Sequence, residues 1–274
     1  MSTSAAVLKY APIEQRLKQI RQRLDWSMLL GITIALAATV AGIAATGVKV
    51  GYFFQPAGAL IVLGGSLGVL ILTTPRHSLM HSARRVAGLL WSPETNRAAL
   101  IDEIMSFAKA ARIGGLVSIE PLIGKASDPF LREALLLMLD VQQRWELHSA
   151  LEMKLKLLER QGEADAKVLE VAGGFAPTIG VLGTVVGLID VLRQFSNLQL
   201  VAGGVGMAFV STIYGLGLAN MILLPAAHRI RSRVADAFET HEMVMEGVMC
   251  IFDAIHPALV RERLSYFVRE GATR

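Results

Sequence analysis

Apolar and polar positions along the chain segregate into long blocks rather than the short alternations of a soluble domain. Four apolar runs are long enough to cross a bilayer, which takes roughly 20 helical residues. The expected spans are Trp26 to about Gly47, Phe54 to about Thr74, Val171 to about Phe195 and Ala202 to about Ala227. All four are rich in Gly and Ala, so neighbouring backbones can approach closely. The pattern predicts an all-α polytopic membrane protein with a helical cytoplasmic domain between spans two and three and a helical cytoplasmic tail. Its segments are 1–25, 26–74, 75–170, 171–227 and 228–274.

The polar blocks predict their own helices. In residues 1–25, Ile13, Leu17, Ile20 and Leu24 recur at spacings of three and four among Arg16, Lys18, Arg21 and Arg23. That is a basic amphipathic helix, suited to an anionic leaflet or to a solvated lead-in that fixes orientation. Ser92-Pro93-Glu94 reads as a helix start, with a break at Gly114-Gly115. Asp128-Pro129 starts another helix. From Glu146 to Glu170 the charge alternates with no strong stop, so a helix is expected to run directly into span three. The tail is helix-compatible to about Ala254, breaks at His256-Pro257 and ends in an amphipathic helix.

Composition supports the membrane reading. Of the 274 residues 53% are apolar and 18% charged, against about 25% charged in a typical soluble domain. The net charge of +4 gathers in the N-terminal stretch, the 75–170 loop and the tail. By the positive-inside rule both termini face the cytoplasm. The basic balance is therefore a topology signal, and no nucleic acid partner is expected. The single cysteine, Cys250, excludes an intrachain disulfide and reads as a small buried hydrophobe.

The sequence carries no phosphate-binding loop, zinc-protease helix, paired-cysteine motif or serine-hydrolase elbow. His77 and His81 lie four apart with no acid beside them in sequence, so neither a metal nor a cofactor is expected and the chain does not read as an enzyme. Inside the spans the chemistry is hydroxyl and carbonyl: Thr178, Thr184, Ser211 and Thr212. The intramembrane acid is Asp190, with Arg193 three residues on, expected as a local ion pair at the outer interface or else a vestibule charge. A self-sufficient proton carrier would place a titratable group near mid-membrane. This chain offers none there, so an ion path along Thr184, Ser211 and Thr212 would borrow its carboxylate from a partner. The competing reading is that each hydroxyl bonds back to its own helix. Pro177 and Pro225 remove helix hydrogen bonds and allow kinks.

Four stretches resemble one family. ALIVLGGSLGVLI, AKAARIGGLVSIE, FAPTIGVLGTVVGLI and VSTIYGLGLANMILLPAA are similar to segments of the flagellar stator A-subunits, the MotA/PomA type, within the wider MotA/TolQ/ExbB channel group. The resemblance implies a ring of A-subunits, as a pentamer, around a pair of MotB/PomB-like single-span subunits, each of which supplies an ionisable Asp. It implies that Thr184 and Thr212 border a path for transported H+ or Na+, with Ser211 beside them, and that Pro177 and Pro225 couple ion flow to motion. It implies that Arg112 and Glu120 face a FliG-like rotor switch protein, and that the chain sits in the bacterial inner membrane among lipid. Departures are local. Ile113 stands where the family often has a second basic residue, Gly174 where some members carry an acid, and Gln55 where sodium-type members carry one, which tilts the expected ion toward protons. The alternative is a TolQ/ExbB-like energiser of an envelope complex, and the bland one an inert membrane scaffold.

Overall fold

The structure is a computed structural model that describes residues 22–24, 26–89, 91–93, 96–194 and 196–271. In chain order the elements are β1 (Gln22–Leu24), α1 (Trp26–Ala45), a 3-10 turn at Val50–Phe53 and α2 (Pro56–Thr73). There follow α3 (Arg76–Gly88), β2 (Trp91–Pro93), α4 (Arg97–Gly114), a 3-10 turn at Leu116–Ile119 and the single turn α5 (Glu120–Ile123). Then come α6 (Pro129–Asp140), α7 (Arg144–Arg193), α8 (Leu198–Gly217), a π turn at Leu218–Leu223, α9 (Leu224–Phe252) and α10 (Pro257–Gly271). The fold is helical, with one pair of three-residue strands, β1 and β2, as its sheet. The basic helix expected over 1–25 lies outside the described residues except for 22–24, which are strand and not helix.

Local chemistry explains the helix ends. Asp128 caps α6, its carboxylate accepting from Leu131 N at 2.9 Å, with Pro129 at the first helical position. The start of α4 differs from the expected Ser92-Pro93-Glu94: Pro93 closes β2, and Asn96 is the cap, accepting from Ala99 N at 3.1 Å. The better cap lies four residues on because the side-chain amide reaches the third amide of the new helix. Gly115 ends α4 at φ +78°, a conformation that glycine adopts without a Cβ clash. α7 runs unbroken for 50 residues with Pro177 inside it, as the missing stop signals between Glu146 and Glu170 predict.

Two compact units share the chain. One gathers 93–160 and the residues from 234 onward; the other gathers 24–92 and 161–233. Along the chain these units divide at 92/93, 160/161 and 233/234. α3 is tied into the second unit: Arg85 Nε lies 2.7 Å from Asp165, and the carbonyls of Gly88 and Leu89 accept from Arg233.

The first unit has a soluble-type core. Leu100, Ile104, Phe107 and Ala111 repeat at helical spacing along α4 and are buried with Leu131, Leu135, Leu151, Met243, Val248 and Leu264. Gly247 lets α9 approach closely, since a Cβ there would stand 2.8 Å from Ile104. Arg97 ties three helices: it donates to Thr240 Oγ1 at 3.1 Å, to Glu239 at 3.1 Å and to the Phe267 carbonyl at 3.2 Å. His241 stacks on Phe130 with ring centroids 4.4 Å apart. Burial holds its pKa below the ordinary imidazole value, against the pull of Asp128. Cys250 is 1% exposed, and burial pushes its thiol up to about 11, as suits a packing residue.

The second unit is apolar outward. Among the described residues three helices are long and apolar enough to cross a membrane: α2, α7 and the run from Leu200 to Phe252. The 20-residue α1 is apolar as well. Leu60 and Leu72 on α2 are 75% and 85% exposed. Such faces suit lipid or neighbouring helices rather than water.

Candidate functional site

The site forms where α7 and α8 cross, and small residues set its geometry. A Cβ on Gly187 would stand 2.7 Å from the Ala208 amide nitrogen, and one on Gly215 would stand 2.6 Å from the Ala176 carbonyl. Gly180 and Gly204 are hemmed in the same way. Backbone thus rests on backbone over several turns, at a distance no side chain permits.

At the centre of this contact Thr184 Oγ1 and Thr212 Oγ1 lie 2.5 Å apart. Thr184 Oγ1 also lies 3.0 Å from the Ala208 carbonyl of the facing helix and 3.2 Å from its own Gly180 carbonyl. Both threonines are half-buried. The hydroxyl pair therefore bridges two helices and keeps a partly open side.

Ser211 behaves differently. It is 0% exposed and donates to the Met207 carbonyl of its own helix at 2.7 Å. Cβ atoms on Gly58 and Gly183 would meet its hydroxyl at 2.6 and 2.8 Å. It is wedged among α2, α7 and α8 as a packing residue, so the back-bonding alternative describes it better than a path does. Thr178 is exposed and likewise bonds back, to Phe175 at 2.7 Å.

Sequence reasoning missed Tyr214. Its hydroxyl donates to the Phe53 carbonyl and accepts from Gln55 N at 3.2 Å, pinning the entry of α2 to α8. A tyrosine whose ring suits an apolar span and whose hydroxyl needs a partner was the available signal. The π turns were missed as well. One occupies Leu60–Gly64 inside α2, and the other, Leu218–Leu223, ends two residues before Pro225. Proline supplies no N–H to the preceding turn, and a wider turn is one way to accommodate that loss. Pro177 takes the same toll within α7, leaving the Gly173 carbonyl without its usual donor.

The intramembrane acid does not pair as expected. Asp190 accepts from Gln194, one turn on, at 2.6 Å, and no Asp190–Arg193 ion pair forms among the described residues. The (i, i+4) step stacks the Gln194 amide above the carboxylate. His81 also differs from its reading in sequence: the fold brings an acid to it, with Nδ1 3.8 Å from Asp165. Arg85 already holds that carboxylate at 2.7 Å, and the resident cation disfavours a metal there. Among the described residues no His, Cys, Asp or Glu cluster could hold a metal.

Arg112 and Glu120 belong to the first unit. Both are exposed, and neither forms an ion pair among the described residues. Arg112 closes α4, and Glu120 opens α5 across the turn at Leu116–Ile119. The two charges thus flank one short connection.

The MotA/TolQ/ExbB proton channel family matches residues 123–243, and the Motility protein A N-terminal family matches residues 29–113. Motility protein A of Bacillus subtilis is 25% identical, over 89% of this chain and 91% of its own. Chemotaxis protein PomA of Vibrio alginolyticus is 26% identical, over 90% of this chain and 97% of its own. The structure of the flagellar MotAB stator complex from Bacillus subtilis superposes with a TM-score of 0.81 at 25% identity, covering 88% of this chain and 95% of that one.

Proposed function

We propose that this chain, which belongs to the MotA/TolQ/ExbB proton channel family, works as the A-subunit of a flagellar stator and converts ion flow into torque. The carrying observation is the hydroxyl pair Thr184–Thr212 at the glycine-lined crossing of α7 and α8. It offers an ion or a water oxygen two hydroxyls and nearby carbonyls, but no carboxylate of its own. The acid would come from a MotB/PomB-like single-span partner, and ion binding and release at that acid would drive motion. Both the N-terminal Motility protein A match and the near full-length relatives favour a stator over a TolQ/ExbB-like energiser.

The finer assignments are part of the same proposal. Four spans with both ends cytoplasmic place the basic segments inside, in a bacterial inner membrane. A ring of copies, a pentamer, surrounds the partner pair. Pro177 and Pro225 serve as coupling points, supported by their positions inside α7 and just beyond the π turn. Arg112 and Glu120 face a FliG-like rotor switch protein; their exposure supports a charged docking role.

The test is Thr184→Val with Thr212→Val, which keeps shape and removes both hydroxyls. Cells carrying the double variant are expected to lose swimming and stator ion flux while the membrane level of the complex stays at wild type. Normal swimming would remove the hydroxyls from the path.

A further inference from the structure

We propose that α3 is a seat for anionic phospholipid of the cytoplasmic leaflet, with Arg76 and Arg84 holding the headgroup phosphates and His77 beside them. The proposal goes beyond the stator role and rests only on the membrane placement above. α3 has the sequence RHSLMHSARRVAG, with three arginines, two histidines and no acid.

Its two sides differ. Ser82 is buried, and Arg85 and Val86 are half-buried. That side meets α7: Ser82 donates to Asp165 at 3.4 Å, Arg85 Nε lies 2.7 Å from the same carboxylate, and His81 Nε2 lies 3.3 Å from Gln161 Nε2. Arg76, His77, Met80 and Arg84 are exposed on the opposite side, within an arc of about 100°. Neither Arg76, His77 nor Arg84 forms an ion pair among the described residues.

Charge calls for an anion. The acids on the adjoining stretch of α7 are all taken: Asp165 by Arg85, and Glu163 and Glu170 by Arg231 of α9. Among the described residues no carboxylate is left to answer Arg76 and Arg84.

Position makes that anion a lipid. α2 ends at Thr73, with Ile71 and Leu72 64% and 85% exposed on the apolar face. Arg76 follows three residues later, at most roughly 10 Å along the chain. That keeps it within reach of a headgroup layer roughly 5–8 Å deep. The order of contacts also turns α3 sideways. α2 runs antiparallel to α7, because Gly65 lies against Ile179 and Ile61 against Gly183. On that course each turn of α3 would meet lower-numbered residues of α7. Instead His81 meets Gln161, and Arg85, one turn later, meets Asp165. α3 therefore crosses α7 rather than descending along it. Met80, 61% exposed between the two arginines, suits the acyl boundary beneath the phosphates better than it suits a soluble acidic partner.

The test counts retained lipid by native mass spectrometry. The complex of this chain with its B-subunit is extracted in detergent and incubated with equal amounts of phosphatidylglycerol and phosphatidylcholine. Wild type should retain phosphatidylglycerol preferentially. Arg76→Gln with Arg84→Gln should cut that preference by about tenfold or more, as two cations at a lipid surface would. Lys156→Gln with Arg160→Gln makes the same charge change on the first unit's part of α7 and should leave the preference intact. An undiminished preference in the α3 variant overturns the seat. So does an equal loss in the control pair, which would make the effect one of net charge. An excess of inorganic phosphate should not displace the lipid; if it does, the site takes a free anion and the lipid assignment falls. A chain that a carbonate wash strips from cell membranes would overturn the membrane placement and the seat together. Failure to purify with the B-subunit would count against the stator reading alone, since the lipid count can still be read on this chain.

Discussion

Ser66 is 5% exposed in α2, and its hydroxyl meets no hydrogen-bond partner among the described residues. A buried, unpaired hydroxyl costs about 1–3 kcal/mol of desolvation. Ser66→Ala removes that cost and leaves a gap of one oxygen. The melting temperature of the detergent-purified complex is therefore expected to stay level or rise. A clear fall would reveal an acceptor that pairs with Ser66 in the assembled protein. Thr184 is the contrast, because its hydroxyl contacts the Ala208 carbonyl and Thr212 at once. Removing it breaks a bridge between helices rather than relieving an orphan, so loss of the Thr184 hydroxyl should lower the melting temperature where loss of the Ser66 hydroxyl does not. Asp165 shows a third case: a carboxylate 2% exposed, tolerated because Arg85 lies 2.7 Å away and Ser82 donates to it at 3.4 Å.

At the scale of elements, the α7–α8 crossing depends on what is missing from glycine. Gly187→Ala puts a methyl 2.7 Å from the Ala208 amide nitrogen, and backbone cannot yield as a side-chain tip can. Overpacking of this kind costs about 1–3 kcal/mol. Gly203 has nothing within 4 Å of the built Cβ, so Gly203→Ala should be neutral or slightly stabilising through helix propensity. Thermal unfolding of the two variants side by side checks the crossing, and equal melting temperatures would contradict it. The same elements show what sequence can and cannot disclose. The long apolar runs, the Asp128-Pro129 start, the Gly115 stop and the unbroken α7 were legible because each is a local signal in adjacent residues. The threonine pairing was half legible: the residue types were visible, but which hydroxyl crosses between helices depends on register. Ser211 and Thr212 are neighbours in sequence, yet about 100° of helical turn sends one into a glycine wedge and the other to Thr184. The Tyr214 clasp was not legible, since it arises from a contact between distant segments.

At the scale of the whole molecule, the open quantity is the ion. Hydroxyls alone do not choose, because Thr184 and Thr212 could hydrate a proton carrier or help coordinate sodium. The choice turns on fixed charge near the path. A bound sodium ion needs several oxygens that replace its water, and an acid near the entrance raises its local concentration. This chain presents Gln55 at the entry of α2, where Tyr214 takes its backbone amide at 3.2 Å, and a Cβ on Gly206 would stand 3.4 Å from its side-chain nitrogen. A neutral amide there attracts no cation. Among the described residues of the apolar run of α7 the carboxylate is Asp190, and Gln194 occupies one of its oxygens. Among the described residues at the entry of α2 no fixed negative charge enriches sodium, and on the proposed stator reading a proton needs only the partner's acid and a route of hydroxyls and water. Swimming speed is expected to persist in sodium-free medium and to collapse when a protonophore dissipates the proton gradient. Gln55→Glu should leave this dependence on protons in place, since one entrance charge adds attraction but no coordinating cage. Cells that stop without sodium and tolerate the protonophore would assign the path to sodium and remove Gln55 as the deciding residue.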